Sequence, residues 1–485
     1  MKLELHHINL STRNVKELEV FYKNILFLDT QTEDLPVLEK KKGYSGEVSF
    51  VGDGKVQMHL AQKDLSVNFT TGHFINPVEK GHIAYRTDDI EAFKDHLKEK
   101  KIHFTDWGDI GVSGWHQIFF HDPDGNQIEV SDTVKAIGKV ATEWRSQYDI
   151  PVIGITGTNG KTSTKELLKH ILSSKFDIHA TEGNYNTSIG LPLTLLQLTS
   201  FHGASILEMG ANQIGDIDTL AKIAKPNIGL ITNIAPAHLE GFGSIEAVAK
   251  TKAAIFENLH DGIAFVNYAD DKVRKIKVPS KSISFGINPD CDYPADIHYE
   301  EDGTITLTIN AEEIPTFSSN LSFAKNIIAC CAIARELGVK WDAIKDRVQT
   351  LTPPNGRCEV KNNGSYVVID DTYNANLEST VAAIDYLNAF SGEGKKIFIF
   401  GDMLELGDLS VNQHMAVGKK CDEINLEAVL TYGNHTYLTN KAIKKVKINH
   451  HFKTKTELAE FASEIISPQD KVLVKGSRGM KMETI

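Results

Sequence analysis

At 485 residues, 41% of them hydrophobic and 24% charged, the chain is too long for one hydrophobic core and has the composition of several compact domains, not of a disordered or fibrous protein. A formal net charge of -12 speaks against nucleic acid or an anionic lipid surface as a partner, while leaving room for a local basic pocket. Five cysteines without metal-ligand or disulfide spacing, a polar start (MKLELHHINL) and no apolar run of membrane-spanning length point to a reducing cytoplasm and exclude membrane insertion.

Residues 1–133 hold two similar passages, HHINLSTRNVKELEVFYKNIL and, from Gly81, GHIAYRTDDIEAFKDHLKEK. Each sets a short alternating strand before an amphipathic helix, and strand-like segments follow both, EVSFVGDGKVQMHL and HQIFFHDPDGNQIEV. The pattern predicts a duplicated βαβββ domain. Residues 134–150 have helical character and read as a linker helix.

From Ile153 apolar strands such as ASILEMG and NIGLITNI alternate with helical stretches, the rhythm of a parallel sheet covered by helices. This predicts a parallel-sheet α/β core over 151–350, which the glycine-rich turn that follows its first strand makes a P-loop-type ATPase domain. A second group, with SYVVIDD, KKIFIFGD and KVLVKG, predicts a Rossmann-like α/β domain over 351–485. The fold class is therefore multidomain α/β.

The segment ITGTNGKTSTKELL places Gly157, Thr158, Asn159, Gly160, Lys161, Thr162 and Ser163 between a strand and a helix. Backbone N–H groups there can surround phosphate oxygens, Lys161 supplies charge, and Thr162 can reach Mg²⁺, so ATP is the expected ligand. Ile155 stands where the general phosphate-loop pattern has glycine.

TGTNGKTST, GNYNTSIGLPLTLL, LEMGANQIGDI, TNIAPAHLEGFGSIEAVAKTK and DDTYNANLES occur in the order found in Mur ligases. The chain from about residue 134 onward resembles that family, most of all its members that add D-alanyl-D-alanine to a UDP-N-acetylmuramoyl tripeptide. The resemblance implies ATP-driven amide-bond formation through an acyl phosphate, in or near peptidoglycan precursor synthesis. Its partners would be a nucleotide-linked muramyl peptide and a dipeptide or amino acid.

The resemblance also implies roles. Lys161 and the backbone around Asn159 would hold the ATP phosphates, and Thr162 and Glu208 one Mg²⁺. His238 and Lys252, the latter carbamylated, would hold a second ion; these two with Lys161 and Glu208 form the catalytic set. Asn267, Asn326 and Arg357 would touch base or ribose, with Asp371 and Tyr373 contributed by the C-terminal lobe. Asn186, Thr187, Asn374, Asn376, Lys475, Ser477 and Arg478 would face substrate. The sequence departs from the family at Ala254 (usually glutamate), Thr187 (usually asparagine) and Leu377 (usually proline), and residues 1–133 do not resemble the family's UDP-gripping domain.

GHIAYRTDDI and HDPDGNQIEV instead make the N-terminal duplication similar to the vicinal-oxygen-chelate superfamily of glyoxalases, fosfomycin-modifying enzymes and dioxygenases. In that architecture His7, His82 and Glu129, with His59 as a fourth candidate, would hold a divalent transition metal. Equally, His6, His59 and His82 are compatible with plain strand-face residues. Two readings compete with the ligase: a metal-dependent N-terminal enzyme carrying a regulatory Mur-like ATP module, and a non-catalytic protein that binds wall precursors.

Overall fold

The computed structural model describes residues 3–26, 28–30, 46–53, 56–67, 71–87, 89–108, 116–123, 126–236, 239–259, 261–278, 281–316, 318–351, 355–362 and 364–485. They fall into two compact units, Met1–Ala141 and Thr142–Ile485. The helix expected at 134–150 runs over Thr133–Arg145, so the division lies inside it.

In the first unit the strands are β1 (Leu3–Thr12), β2 (Asp29–Thr30), β3 (Val48–Asp53), β4 (Gln57–Gln62), β5 (His82–Thr87), β6 (Phe104–Gly108), β7 (His116–His121) and β8 (Gln127–Asp132). They form one sheet in the order β2-β3-β4-β1-β5-β8-β7-β6. The two copies thus meet at the antiparallel β1–β5 pair, and outward from it each repeats the same arrangement, with β1 parallel to β4 and β5 parallel to β8.

Alternation decides which side chains face the helices. Ile118 and Val130 pack on Ile90, Phe93 and Leu97 of the helix Ile90–Glu99, whose start is capped by Asp89 accepting from Ala92 N at 2.9 Å. The opposite face carries a row of direct cross-strand partners, Thr105, Phe119, Glu129, Ala84, His7 and Gln57. A register shift at His6 lets both His6 and His7 be buried.

The second unit contains two sheets. The larger consists of β9 (Val152–Thr156), β10 (Ile178–Ala180), β11 (Ala204–Glu208), β12 (Ile228–Ile231), β13 (Ile263–Asn267), β14 (Lys281–Gly286), β15 (Tyr293–Tyr299), β16 (Ile305–Ile309) and β17 (Glu312–Pro315), in the order β10-β11-β9-β12-β13-β14-β15-β16-β17. Strands β9 to β14 are parallel, and the central β9, β11 and β12 are buried on both faces, as their apolar runs require. The helices Lys161–Leu172 and Leu321–Glu336 cover one side, burying Leu167, Leu168, Ile171, Leu172, Ile327 and Ile328 completely or nearly so. Each such side chain contributes on the order of 1.5–3 kcal/mol.

The sheet does not stay parallel. Strands β15 to β17 extend it as an antiparallel meander whose last turn has Asn310 and Ala311 at φ +50° and +66°. Alanine at a positive φ is unusual, which is why the sequence did not announce a hairpin there.

The smaller sheet comprises β18 (Glu359–Asn362), β19 (Val367–Asp371), β20 (Lys396–Gly401), β21 (Ala428–Tyr432), β22 (Ile448–Phe452) and β23 (Lys471–Lys475), in the order β18-β19-β23-β20-β21-β22. It is parallel apart from its antiparallel edge strand β18. Just beyond β20 the buried Asp402 carboxylate accepts the backbone N–H groups of Asn434, His435 and Thr436 at 2.6, 3.0 and 2.8 Å. Among the described residues no helix is long and apolar enough to cross a membrane, and all five cysteines are free thiols.

Candidate functional site

Strand β9 delivers the chain into a tight turn that ends at the helix Lys161–Leu172. Gly157 (φ +147°) has no room for a side chain, since a Cβ would sit 1.9 Å from Thr232 Oγ1, and Gly160 (φ +81°) is the residue from which the helix starts. The loop is pinned from the neighbouring strand end. Asn159 N donates to Asn233 Oδ1 (2.8 Å), Thr232 Oγ1 donates to Asn159 O (2.6 Å), and Thr158 Oγ1 donates to Ala235 O (3.1 Å). A helix N-terminus framed in this way is a seat for phosphate.

Two lysines share one carbonyl of this loop. Lys161 Nζ donates to Gly157 O (2.9 Å) and Thr158 O (3.2 Å), and Lys252 Nζ, only 4% exposed, donates to the same Gly157 O at 3.0 Å. Burial lowers the pKa of Lys161, with Glu208 opposing the shift and Arg357 adding to it. Burial holds Lys252 well below the ordinary lysine value, and the charge of Lys161 pushes it further down.

At the end of β11 Glu208 is buried and fully engaged: Oε2 accepts from Thr162 Oγ1 (2.7 Å) and Oε1 from Asn186 Nδ2 (2.8 Å). Thr187 does not join them. It is exposed and its Oγ1 accepts from Gly190 N (3.3 Å), starting the short helix Gly190–Leu195. Asn326 presses on Gly160, where a Cβ would lie 2.9 Å from its Oδ1, while Asn267 Nδ2 donates to Thr232 O (2.8 Å). Ser163 is half-buried one residue into the helix beyond Thr162. His238 lies outside the described residues.

The smaller-sheet lobe reaches the same loop. Arg357 Nη2 donates to Thr162 Oγ1 at 2.7 Å, and its guanidinium lies 3.9 Å above the Tyr373 ring. Asn376, the N-cap of the helix Leu377–Ala389, donates from Nδ2 to Asn159 Oδ1 (2.7 Å). A capping box with Ser379 fixes the helix entry there, so Leu377 serves without the stiffness of proline. Lys475 holds the preceding loop, donating to Asp371 Oδ2 (2.5 Å) and Asn374 O (2.9 Å). Ser477 accepts from Leu404 N (2.9 Å), whereas Arg478 turns outward to pair with Glu483.

Four further residues belong to this arrangement and were not singled out from sequence. Glu378 Oε2 accepts from Asn159 Nδ2 (3.0 Å) and Asn233 Nδ2 (3.4 Å), and burial raises its carboxyl pKa. Buried Lys165 donates to Thr181 O (2.5 Å), and Thr181 Oγ1 accepts from Glu208 N (3.0 Å). Glu378 and Asn233 stand inside quoted motifs, so contiguity with them was the available signal.

In the first unit, His7 Nε2, His82 Nε2 and Glu129 Oε2 converge: 3.3 Å between the imidazoles, 2.8 Å from His82 and 3.8 Å from His7 to the carboxylate oxygen. His82 Nδ1 faces Pro77 O at 3.1 Å, and Gln117 Nε2 holds the other Glu129 oxygen at 2.8 Å. Burial, then His59, His82 and His6, keep His7 neutral. His59 is not a fourth member of the cluster; it stacks on the His7 ring at 3.7 Å and faces Gln57 Oε1 at 3.0 Å, and burial pushes its pKa down to about 3.

Residues 155–334 match the Mur ligase middle domain, 356–478 the Mur ligase glutamate ligase domain, and 4–130 the Glyoxalase/Bleomycin resistance protein/Dioxygenase superfamily. UDP-N-acetylmuramoyl-tripeptide--D-alanyl-D-alanine ligase of Haemophilus influenzae is 35% identical over 377 residues, covering 74% of this chain and 81% of that protein. The Bacillus subtilis protein of the same name is 32% identical over 379 residues, covering 76% and 83%. Among solved structures, MurF from Acinetobacter baumannii superposes with a TM-score of 0.67 at 30% identity, covering 74% of this chain and 81% of that one. The MurF ligase of Thermotoga maritima in complex with ADP gives 0.66 at 30% identity, covering 72% and 82%. The chain belongs to the Mur ligase family of ATP-dependent ligases and carries a glyoxalase-superfamily unit at its N-terminal end.

Proposed function

We propose that this chain joins D-alanyl-D-alanine to the terminal carboxylate of a UDP-N-acetylmuramoyl tripeptide, residues 151–350 forming the ATP-binding domain and 351–485 the domain that closes on it. The carrying observation is the corner in which Thr162, Glu208 and Asn186 meet beside the loop of Lys161. A substrate carboxylate oxygen attacks the γ-phosphorus of ATP and ADP leaves. The amine nitrogen then bonds to the acyl carbon of the acyl phosphate, phosphate departs with the C–O electron pair, and the amine proton passes to a base.

Gly157 to Ser163 cradle the phosphates, with Lys161 holding the transferring oxygens. Asn267, Asn326, Arg357, Asp371 and Tyr373 serve the nucleoside side, and Asn186, Asn374, Asn376, Lys475 and Ser477 the substrates. Thr187 and Arg478, turned to a helix start and to Glu483, are the weaker members of that set. A hydroxyl and a carboxylate oxygen 2.7 Å apart are the hard donors Mg²⁺ takes, so Thr162 and Glu208 fit it. Bound there, Mg²⁺ supplies neutralisation of the developing phosphoryl charge. Burial, with the charge of Lys161, lowers the pKa of Lys252 and so favours its neutral amine, which suits the carbamylated lysine of the family that with His238 would hold a second ion.

The test is phosphate release from Mg²⁺-ATP with UDP-N-acetylmuramoyl tripeptide and D-alanyl-D-alanine together or singly. Release is expected only with both. Release that ignores the dipeptide, or none from folded protein that binds ATP, rejects the substrate assignment.

The N-terminal unit we read as a divalent transition-metal site, because two imidazoles and a carboxylate converge on one point, with His82 Nδ1 and the second Glu129 oxygen each held from outside. When bound, such an ion supplies Lewis acidity to an oxygen-bearing ligand. In equilibrium dialysis the native chain is expected to retain one equivalent of Mn²⁺ or Zn²⁺ more than His82→Ala and Glu129→Gln. Equal retention by native and His82→Ala protein defeats this reading.

A further inference from the structure

The Thr162–Glu208 corner has a cation of the chain's own beside it. Thr162 Oγ1 donates to Glu208 Oε2 (2.7 Å) and accepts from Arg357 Nη2 (2.7 Å), which uses one of the oxygen's two lone pairs. A divalent ion held by the same oxygen would bring a second positive charge against that guanidinium, and the two repel. The guanidinium is not there by chance of a flexible surface side chain. It lies flat on Tyr373 (3.9 Å), and its backbone is tied to the same loop, Tyr373 N donating to Gly356 O (3.1 Å) and Cys358 N to Asp371 Oδ1 (3.2 Å), with Asp371 itself held by Lys475. On the other side of the phosphate loop Asn376 and Glu378 occupy the Asn159 amide, so the lobe is held at both ends of the turn.

We propose that Arg357 is an internal stand-in for the divalent ion: it satisfies Thr162 until metal and nucleotide arrive, and must leave the hydroxyl for the ion to bind. This rests on the reading above that Thr162 and Glu208 hold Mg²⁺. Arg357 is then a positioning residue that couples metal entry to the lobe carrying it. Because the two cations exclude each other from Thr162, displacing Arg357 toward nucleotide phosphate raises metal affinity, and by linkage metal raises nucleotide affinity by the same factor.

Mn²⁺ binding followed by electron paramagnetic resonance tests this on the full chain, in a His82→Ala background that silences the N-terminal triad. Without nucleotide, Arg357→Ala and the neutral, long Arg357→Gln are each expected to bind Mn²⁺ about tenfold more tightly than the parent, the scale of one hydrogen bond to a charged group. The gain should vanish when Glu208→Gln is added, and ADP, which tightens Mn²⁺ binding to the parent, should do so less in the Arg357 variants. Should Glu208→Gln abolish Mn²⁺ binding while both Arg357 variants bind as the parent does, the metal corner stands and the stand-in role is overturned. Should Glu208→Gln leave Mn²⁺ binding unchanged in every background, the metal assignment itself fails and the inference with it. The two variants guard against a misfolded single substitution, which circular dichroism would reveal.

Discussion

Lys161→Ala is expected to lower substrate-dependent phosphate release by at least about 100-fold, the scale for losing one preorganised group aimed at developing transition-state charge. The residue opens the helix that follows the phosphate loop, and its ammonium donates to Gly157 O and Thr158 O. Two neutral carbonyls are modest partners for an ammonium, so turning toward a phosphate costs little and gains a charge-assisted bond. Nucleotide binding should fall far less than turnover, because Gly157, Gly160 and the helix N-terminus remain. Turnover within a few-fold of native would remove Lys161 from the reaction.

Lys252→Met should separate stability from activity. Lys252 is almost wholly buried, and its described hydrogen bond goes to a carbonyl that Lys161 already uses. Its pKa in the folded chain is depressed by burial and by Lys161, so between that depressed value and the ordinary 10.5 the unfolded chain binds more protons than the folded one. Stability therefore rises with pH through this window, and the penalty is fully present below it. Methionine fills the same space without charge, so the variant should melt higher at neutral pH, by about 2–4 °C for each kcal/mol relieved, and lose the alkaline slope. Ligase activity should disappear, as expected of a residue kept at a cost to the fold. Calorimetry across pH checks this; a variant that melts below native at pH 7 refutes it.

How much of this was open to a reader of residues alone depended on whether the physics was local. The phosphate loop was legible because glycines, lysine and threonine must be contiguous there, and the N-terminal triad because strand alternation with the resemblance put His7, His82 and Glu129 on strands that meet. Contacts between distant segments were not. Nothing in ANLES foretells that Glu378 will lie against Asn159, 219 residues away, or that Lys165 will be buried under Thr181. Thr187 and His59 show the converse: a residue type suited to a site was taken by a nearer partner, Gly190 N for one and the His7 ring for the other.

The Asp402 carboxylate has a wider meaning. Parallel sheets offer phosphate a seat at their carboxyl edge, where successive backbone N–H groups gather. In the smaller sheet that seat has a permanent tenant, and Gly433 is so close that a Cβ there would lie 2.3 Å from the Asp402 carboxylate. The lobe has the architecture of a nucleotide binder with its anion built in: a carboxylate of its own chain sits where a parallel sheet would otherwise offer backbone N–H groups to a phosphate.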